Sequence, residues 1–239
     1  MAGSDFYGRD LAAIHAGAFE ALAVAGAATL LRLTSRQPSL VLDLGCGAGR
    51  LGIELEKRDV RTWGVDISPD LIALARQRLP AAEFVDGSLL DAPFPTAGGA
   101  AAIGEVLNYA TVGDAGDLPR LFNKVHAALE DGGLFLLDLA GPGRVGAGRA
   151  FSQGDDWAVG MIAEETEGML VRRITTFRRA ANGAWTRSDE VHRLRLWPVD
   201  QVLAALSFAG FRAERIGSYD DLALPDGLHV YAAFKSTFR

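Results

Sequence analysis

The sequence predicts an α/β protein built on a parallel sheet with helices on both faces, and two observations lead to that prediction. Short apolar segments alternate with helical segments over residues 40–140, an order typical of parallel strands joined by crossover helices. Beyond this region, residues 157–165, 169–179 and 184–197 form three extended runs separated by turn residues. We therefore expect an antiparallel β layer to be added after the fifth strand of the parallel sheet.

The elements can be assigned in chain order from apolar spacing and from turn residues. Ser68 and Pro69 suit the cap and the first position of a helix, and Asn182-Gly183 is a strong hairpin signal. A loop rich in glycine, residues 141–148, follows the fifth strand. We predict helices over residues 11–31, 52–58, 70–79, 118–129 and 198–209, and core strands over residues 39–44, 60–65, 82–85, 100–106, 133–139, 211–219 and 229–234.

Composition and charge exclude several classes of protein. The chain has 239 residues, a formal net charge of −6 and one cysteine. A single cysteine forms no internal disulfide, so we expect a reducing, cytoplasmic location. The acidic balance argues against nucleic acid and anionic membranes as partners. Residues 11–31 are long enough to span a bilayer, but they are mostly alanine and glycine around Glu20, so we predict a helix packed on the protein.

The segment most informative about chemistry is Val41-Leu42-Asp43-Leu44-Gly45-Cys46-Gly47-Ala48-Gly49. Glycines at the end of a buried strand let the backbone approach a ligand closely. Gly47, Gly49 and Gly52 also fit the dinucleotide pattern, with Asp66 following Gly47 by 19 residues. A nicotinamide reductase is therefore one alternative.

Three features favour a different ligand. Asp43 lies two residues before Gly45; its carboxylate would repel a pyrophosphate but attract the cationic end of a sulfonium amino acid. Ile67 follows Asp66 and could cover one face of an adenine, and Ser88 follows the third strand, where it could contact the adenine edge. In this order the motifs resemble those of class I S-adenosylmethionine-dependent methyltransferases. The runs at residues 103–109 and 132–138 are similar to those of small-molecule members, and amino-sugar N-methyltransferases share antiparallel strands that cover the active site.

The resemblance implies a fold and a set of cofactor contacts. The expected fold is a Rossmann-like, doubly wound, seven-stranded sheet whose last strand is antiparallel to the other six. S-adenosylmethionine is the implied cofactor: the glycine loop would contact its methionine part, Asp43 its amino group, Asp66 its ribose hydroxyls, and Glu105 would lie beside the methyl group. Ser88 departs from the aspartate found in many relatives. The residues assigned to the cofactor are Asp43, Gly45, Cys46, Gly47, Asp66, Ile67, Ser88, Leu89 and Glu105.

The candidates for proton transfer lie on the antiparallel layer and after the fourth core strand. Glu190, His192, Leu194 and Leu196 share one face of an extended strand because side chains alternate, and the two leucines make that face the inward one. His192, Glu190 and Tyr109 are therefore the catalytic candidates; a buried histidine with a purely structural role is the alternative for His192. Cys46 is interpreted as a packed side chain rather than a nucleophile. We predict no metal site.

These inferences divide the chain into three parts. Residues 1–38 are expected to form an N-terminal helical cover, residues 39–140 and 198–239 the cofactor-binding core, and residues 141–197 a roof of antiparallel strands over the active site. Arginines of the roof are expected to pair with acidic residues at 155, 156, 164 and 165, or to bind a substrate anion. The predicted activity is methyl transfer to a nitrogen or oxygen of a small metabolite, by a monomer or homodimer. Methylation of RNA or protein, and non-catalytic binding of S-adenosylmethionine, are the alternatives.

Overall fold

The computed structural model describes residues 7–18, 20–110, 114, 116–180 and 182–236. Within them, the strands are β1 Leu40–Leu44, β2 Arg61–Asp66, β3 Glu83–Asp86, β4 Ala97–Ala102, β5 Leu129–Ala140, β6 Arg149–Gln153, β7 Trp157–Thr166, β8 Met169–Arg179, β9 Trp185–Arg195, β10 Phe211–Ile216 and β11 Leu228–Lys235. The helices are α1 Arg9–Ala18, α2 Ala21–Leu33, α3 Arg50–Glu56, α4 Pro69–Arg78, α5 Val106–Ala110, α6 Asp117–Ala128 and α7 Val199–Phe208.

Seven strands form the main sheet in the order β10-β11-β5-β4-β1-β2-β3. The pairs β1–β2, β1–β4, β2–β3 and β4–β5 are parallel, whereas β11 runs antiparallel to both β5 and β10. This confirms the predicted doubly wound sheet and its antiparallel last strand.

The sheet separates two apolar cores. Leu42 and Phe135 belong to the core beneath α6 and α7, and their sequence neighbours Val41 and Leu136 belong to the core beneath α2 and α3. Consecutive side chains of a strand point to opposite faces of the sheet. A strand in which apolar and polar residues do not alternate is therefore covered by helices on both faces. Burial on both faces explains why the strands appear in the sequence as continuous apolar runs.

The added layer is a four-stranded antiparallel sheet in the order β6-β7-β8-β9, which we call the roof sheet. Two of its turns match the prediction: Glu167 and Gly168, both with positive φ (50° and 75°), connect β7 to β8, and Gly183 (φ 83°) lies between β8 and β9. Three strands were expected, and the structure adds β6. Most residues of β6 are exposed, so it carries no apolar pattern from which a strand could be predicted.

The N-terminal segment differs from the single helix predicted over residues 11–31. It forms α1 and α2, which meet at a bend of 55°. Glu20 lies between the helices, and its carboxylate pairs with Arg50 (2.6 Å) and Arg78 (2.7 Å). Among the described residues, no single helix is long and apolar enough to cross a membrane, and only α1 and α2 taken together across their bend reach that length.

Several core boundaries also differ from the prediction, among them the end of β10 at Ile216 rather than at residue 219. Strand β4 covers Ala97–Ala102 rather than residues 100–106, because Val106 already belongs to α5. Gly132, which precedes the strand predicted over residues 133–139, lies inside β5 with φ 77° next to an irregularity in the β4–β5 register. The glycine thus permits a bulge in the strand.

Candidate functional site

The glycine loop between β1 and α3 forms the floor of a cavity at the carboxyl ends of the parallel strands. The amides of Gly45 and Cys46 both donate to the carbonyl of Val65, at 2.7 and 3.0 Å. Gly45 has a φ of 75°, and a side chain there would collide with Val106. Gly47 has a φ of 52° and no atom near the position of a Cβ. The loop therefore leaves open space where a ligand could contact its backbone.

The cavity encloses about 220 Å³. Its walls come from the ends of β1, β2, β3 and β4 and from the N-terminal segment 7–23. Eight of the nine residues predicted to contact the cofactor line it: Asp43, Gly45, Cys46, Gly47, Asp66, Ile67, Ser88 and Leu89. The structure therefore brings together residues that are spread over nearly fifty positions of the sequence.

Asp66 connects the glycine loop to the start of α4. Its Oδ2 accepts the amide of Gly47 at 2.9 Å, and its Oδ1 accepts the amide of Ser68 at 2.9 Å. Ser68 in turn caps α4 by accepting the amide of Leu71, as its position before Pro69 predicted. Burial raises the pKa of Asp66, while these backbone donors oppose the rise. Asp66 is thus an acidic residue held at the cavity wall by the backbone.

Asp43 differs from Asp66 in having an oxygen without a partner. Its Oδ2 is buried and, among the described residues, receives no hydrogen bond. Burial, and next the charge of Asp66, raise the pKa of Asp43 to about 7. Buried polar atoms are almost always hydrogen-bonded, so this oxygen fits a cationic group of a bound ligand. Together with the open loop at Gly47, it fits the amino-acid part of S-adenosylmethionine.

Cys46 lies in the loop as a buried thiol. Burial, followed by the charges of Asp43 and Asp66, raises its pKa well above the ordinary value. A thiol with a raised pKa is a poor nucleophile at neutral pH. This agrees with the interpretation of Cys46 as a packed side chain.

Glu105 is the ninth predicted cofactor residue, and its carboxylate is engaged by two arginines. Arg172 donates to both of its oxygens, and Arg144 donates through Nε to Oε1. Burial alone would raise the pKa of Glu105, but these guanidinium groups hold it below the ordinary value. The carboxylate therefore connects the end of β4 to the loop after β5 and to the roof sheet.

Asp138 holds the turn that carries Glu105, and no role was predicted for it. Its carboxylate accepts the amides of Gly104 and Glu105 and the hydroxyl of Tyr219 (2.8 Å). Both turn residues have positive φ, 92° and 63°. Burial raises the pKa of Asp138 to about 6. An acidic residue inside the apolar run of β5 was the available signal, because a charge in a strand buried on both faces needs partners.

The three catalytic candidates form one hydrogen-bonded chain. Nε2 of His192 lies 2.8 Å from Oε2 of Glu190, and Nδ1 of His192 lies 3.3 Å from the hydroxyl of Tyr109. Tyr109 lines the cavity, whereas His192 is fully buried behind it. The amides of Tyr7 and Gly8 also donate to Glu190, at 2.9 and 3.3 Å. The N-terminal segment and the roof sheet therefore meet at this carboxylate, and His192 connects it to Tyr109 of α5.

The roof sheet turns the predicted face inward. Glu190, His192 and Leu194 of β9, and Leu196 just beyond it, are buried. The roof arginines were expected to pair with the acidic residues at 155, 156, 164 and 165. For the three arginines whose ion pairs are observed, that prediction is wrong. Arg172 pairs with Glu105, Arg178 with Asp10 and Arg187 with Asp189. Arg172 points into the molecule, where burial of its charge requires a carboxylate nearby.

Comparison with known proteins agrees with this geometry. Residues 41–133 match the family model described as a methyltransferase domain. A putative methyltransferase of Geobacillus is 25% identical over 184 residues, covering 72% of this chain and 73% of its own.

Solved structures resemble the chain over nearly its full length. An S-adenosylmethionine-dependent methyltransferase from Clostridium acetobutylicum superposes with a TM-score of 0.80 at 17% identity, over 94% of this chain and 97% of its own. The sugar N-methyltransferase KedS8 from Streptoalloteichus superposes with a TM-score of 0.74 at 22% identity, over 94% and 90% of the two chains. The chain therefore contains a methyltransferase domain over residues 41–133, and it has the fold of class I S-adenosylmethionine-dependent methyltransferases.

Proposed function

We propose that the protein transfers the methyl group of S-adenosylmethionine to a nitrogen or oxygen of a small metabolite. The observation that carries the proposal is the chain from Tyr109 through His192 to Glu190, since it places a proton acceptor directly behind a cavity wall. The resemblance to a sugar N-methyltransferase over 94% of the chain supports a small acceptor. The negative net charge disfavours an RNA substrate.

The residues proposed to hold the cofactor follow from the cavity. Asp43 would bind the ammonium group, Asp66 the ribose hydroxyls, and Ile67, Ser88 and Leu89 the adenine. When bound, S-adenosylmethionine supplies a methyl group already activated by its sulfonium centre. Alignment of the reactants and exclusion of water then provide most of the rate acceleration. Holding two reactants in a well-oriented geometry can lower the activation barrier by about 7–11 kcal/mol. We also propose that the N-terminal segment and the roof sheet serve to exclude water.

The proton route is determined by which atoms can donate. An ionised Glu190 only accepts, so Nε2 of His192 donates to it and Nδ1 is left as an acceptor. Burial raises the pKa of Tyr109, so its hydroxyl stays protonated and can donate to Nδ1. An acceptor that arrives protonated would pass its proton to the hydroxyl oxygen of Tyr109 while the phenolic proton moves to His192. The resulting imidazolium would be stabilised by Glu190.

The substrate class can be tested with methyl-labelled S-adenosylmethionine and a fractionated cell extract. We expect label in the small-molecule fraction, where mass spectrometry of the product identifies the acceptor. Label in RNA or protein would refute the small-molecule proposal. Cofactor binding without any transfer would identify a non-catalytic binding protein.

The proton route can be tested by changing His192→Gln. We expect kcat to fall by about a hundredfold or more, because a positioned base contributes on that scale, with little change in cofactor affinity. His126→Gln is the matched control, since His126 lies on α6 and packs against Phe211. An unchanged kcat in His192→Gln would refute the route.

A further inference from the structure

The carboxylate of Glu105 is shared by two arginines, so the charges of this group do not balance. Arg172 contacts it through both terminal nitrogens, whereas Arg144 contacts it only through Nε. Neither arginine forms another ion pair in the part of the chain that the structure describes. One negative charge therefore faces two positive charges, although charges with little access to water are normally paired.

The other carboxylates around this group are occupied by different donors. Asp138 and Glu190 accept backbone amides together with one side chain each. Glu165 accepts the amide of Gly143 through both of its oxygens. None of the three pairs with either arginine. The second positive charge is therefore left without a carboxylate of its own.

The side chain of Arg144 is fixed at its base and free at its end. Gly227 packs so closely against the backbone of Arg144 that a side chain at position 227 would collide with it, and Nε is held by Glu105. Among the described residues, the two terminal nitrogens have no hydrogen-bond partner, and they are not buried in a side chain that is 19% exposed. A planar guanidinium with both terminal nitrogens free matches the geometry of a carboxylate or a phosphate.

Arg144 lies at the end of the cavity that an acceptor has to approach. The two residues that flank Glu105 in the sequence both line the cavity. Val145, the next residue after Arg144, packs against the same apolar cluster as Tyr109, which also lines the cavity. An acceptor placed at Tyr109, where the proposed proton route begins, would therefore lie beside the free end of Arg144.

We propose that Arg144 binds an anionic group of the acceptor, a carboxylate or a phosphate, and that the substrate is therefore an acidic small metabolite. This inference rests on the proposed methyl transfer to a small acceptor. The bound anion is not the methylated group, because the guanidinium N–H groups engage the lone pairs of its oxygens. The methyl group goes to a second nitrogen or oxygen nearer to Tyr109, so the product keeps the negative charge.

Two anions and a neutral molecule test the site before the acceptor is identified. Malonate, inorganic phosphate and malonamide are each titrated calorimetrically into protein saturated with S-adenosylhomocysteine. We expect malonate, phosphate or both to bind the wild type, and malonamide not to bind. Arg144→Met should weaken the binding of these anions at least tenfold, because charge-assisted hydrogen bonds are about twice as strong as neutral ones. Binding of phosphate alone would indicate a phosphorylated acceptor, and binding of malonate alone a carboxylic acid.

Arg149→Met is the matched control for the loss of a positive charge. Arg149 is an exposed arginine at the start of β6 and forms no ion pair within the described ranges, so its removal should change anion affinity by less than about twofold. If Arg144→Met does not fold, as judged by circular dichroism, Arg144→Lys keeps the charge without the planar guanidinium and should still weaken the anions, by a smaller factor. Wild-type protein that binds neither anion, or an equal effect of the substitutions at positions 144 and 149, would overturn the proposal.

The labelled products distinguish failure of this inference from failure of the proposed function. After reaction with methyl-labelled S-adenosylmethionine and a cell extract, we expect the label in small molecules that bind an anion-exchange resin at pH 8. Arg144→Met should lower that labelling at least tenfold while the affinity for S-adenosylhomocysteine stays within about twofold. Label found only in neutral or cationic small molecules would overturn the role of Arg144 and leave the proposed function standing. Label in RNA or protein would refute the proposed function and this inference with it.

Discussion

The unpaired carboxylate of Asp43 predicts that cofactor affinity depends on pH. Its pKa is raised to about 7 by burial, and only the ionised form attracts an ammonium group. The ionised fraction falls from about nine-tenths at pH 8 to about one-tenth at pH 6. Binding of S-adenosylhomocysteine should therefore weaken about tenfold over that interval, which corresponds to about 1.4 kcal/mol. Binding below pH 7 should also release a proton.

The assay is calorimetric titration at pH 6, 7 and 8, in buffers of different ionisation enthalpy so that proton release is counted. Asp43→Asn should bind S-adenosylhomocysteine weakly and with little pH dependence. Burial also raises the pKa of the neighbouring Asp66. The Asp43→Asn variant therefore shows how much of the pH dependence of binding comes from Asp66. A wild-type affinity that stays constant from pH 6 to 8, or a pH dependence that persists in Asp43→Asn, would refute the reasoning.

The raised pKa of Asp43 also predicts how the stability of the ligand-free protein changes with pH. A carboxyl whose pKa is higher in the folded state than in the unfolded state favours folding at low pH, and that contribution is lost as the pH rises from about 4 to 7. At pH 8 the buried charge opposes folding by up to about 4 kcal/mol. Asp43→Asn should therefore unfold at a higher temperature than the wild type when no ligand is bound, and the difference should narrow at pH 5.

Two further predictions concern the residues around this carboxylate and the turn after β4. Asp66→Ala should weaken the binding of S-adenosylhomocysteine at least tenfold in the same titration. Asp86→Ala is the control, because Asp86 lies on the neighbouring strand and outside the cavity wall, and it should have little effect. Equal affinities of the two variants would contradict the assigned ribose contact. Tyr219→Phe removes a hydrogen bond to the buried carboxylate of Asp138 and should lower the free energy of unfolding by about 1.5–3 kcal/mol in urea. Tyr231→Phe is the matched control, because the hydroxyl of Tyr231 is buried without a hydrogen-bond partner among the described residues. If Tyr231→Phe lowered the free energy of unfolding as much as Tyr219→Phe, the reasoning would be contradicted.

The cofactor-binding part of the site could be predicted from the sequence because the motifs that indicate it are short and local. A glycine loop directly after an apolar strand, and Asp66 at the end of the next strand, lie at the same edge of any parallel sheet. The cavity walls at Asp43, Gly47, Asp66 and Ser88 follow from that topology.

The contacts that complete the site connect distant parts of the chain. Tyr219 reaches Asp138 across 81 residues, Arg144 reaches Glu105 across 39, and the amide of Tyr7 reaches Glu190 across 183. No periodicity or spacing encodes such pairs. They arise because a charge buried by the fold needs a partner, whichever segment supplies it.

The carboxylate of Glu190 accepts hydrogen bonds from the amides of Tyr7 and Gly8 as well as from His192. A substitution at position 190 will therefore produce a composite phenotype, because it releases the N-terminal segment and removes the partner of the imidazole in one step. Effects of Glu190 and His192 variants should be strongly non-additive in a double-mutant cycle. Rate losses measured at position 190 can be attributed to proton transfer only after the contribution of the displaced N-terminal segment has been subtracted.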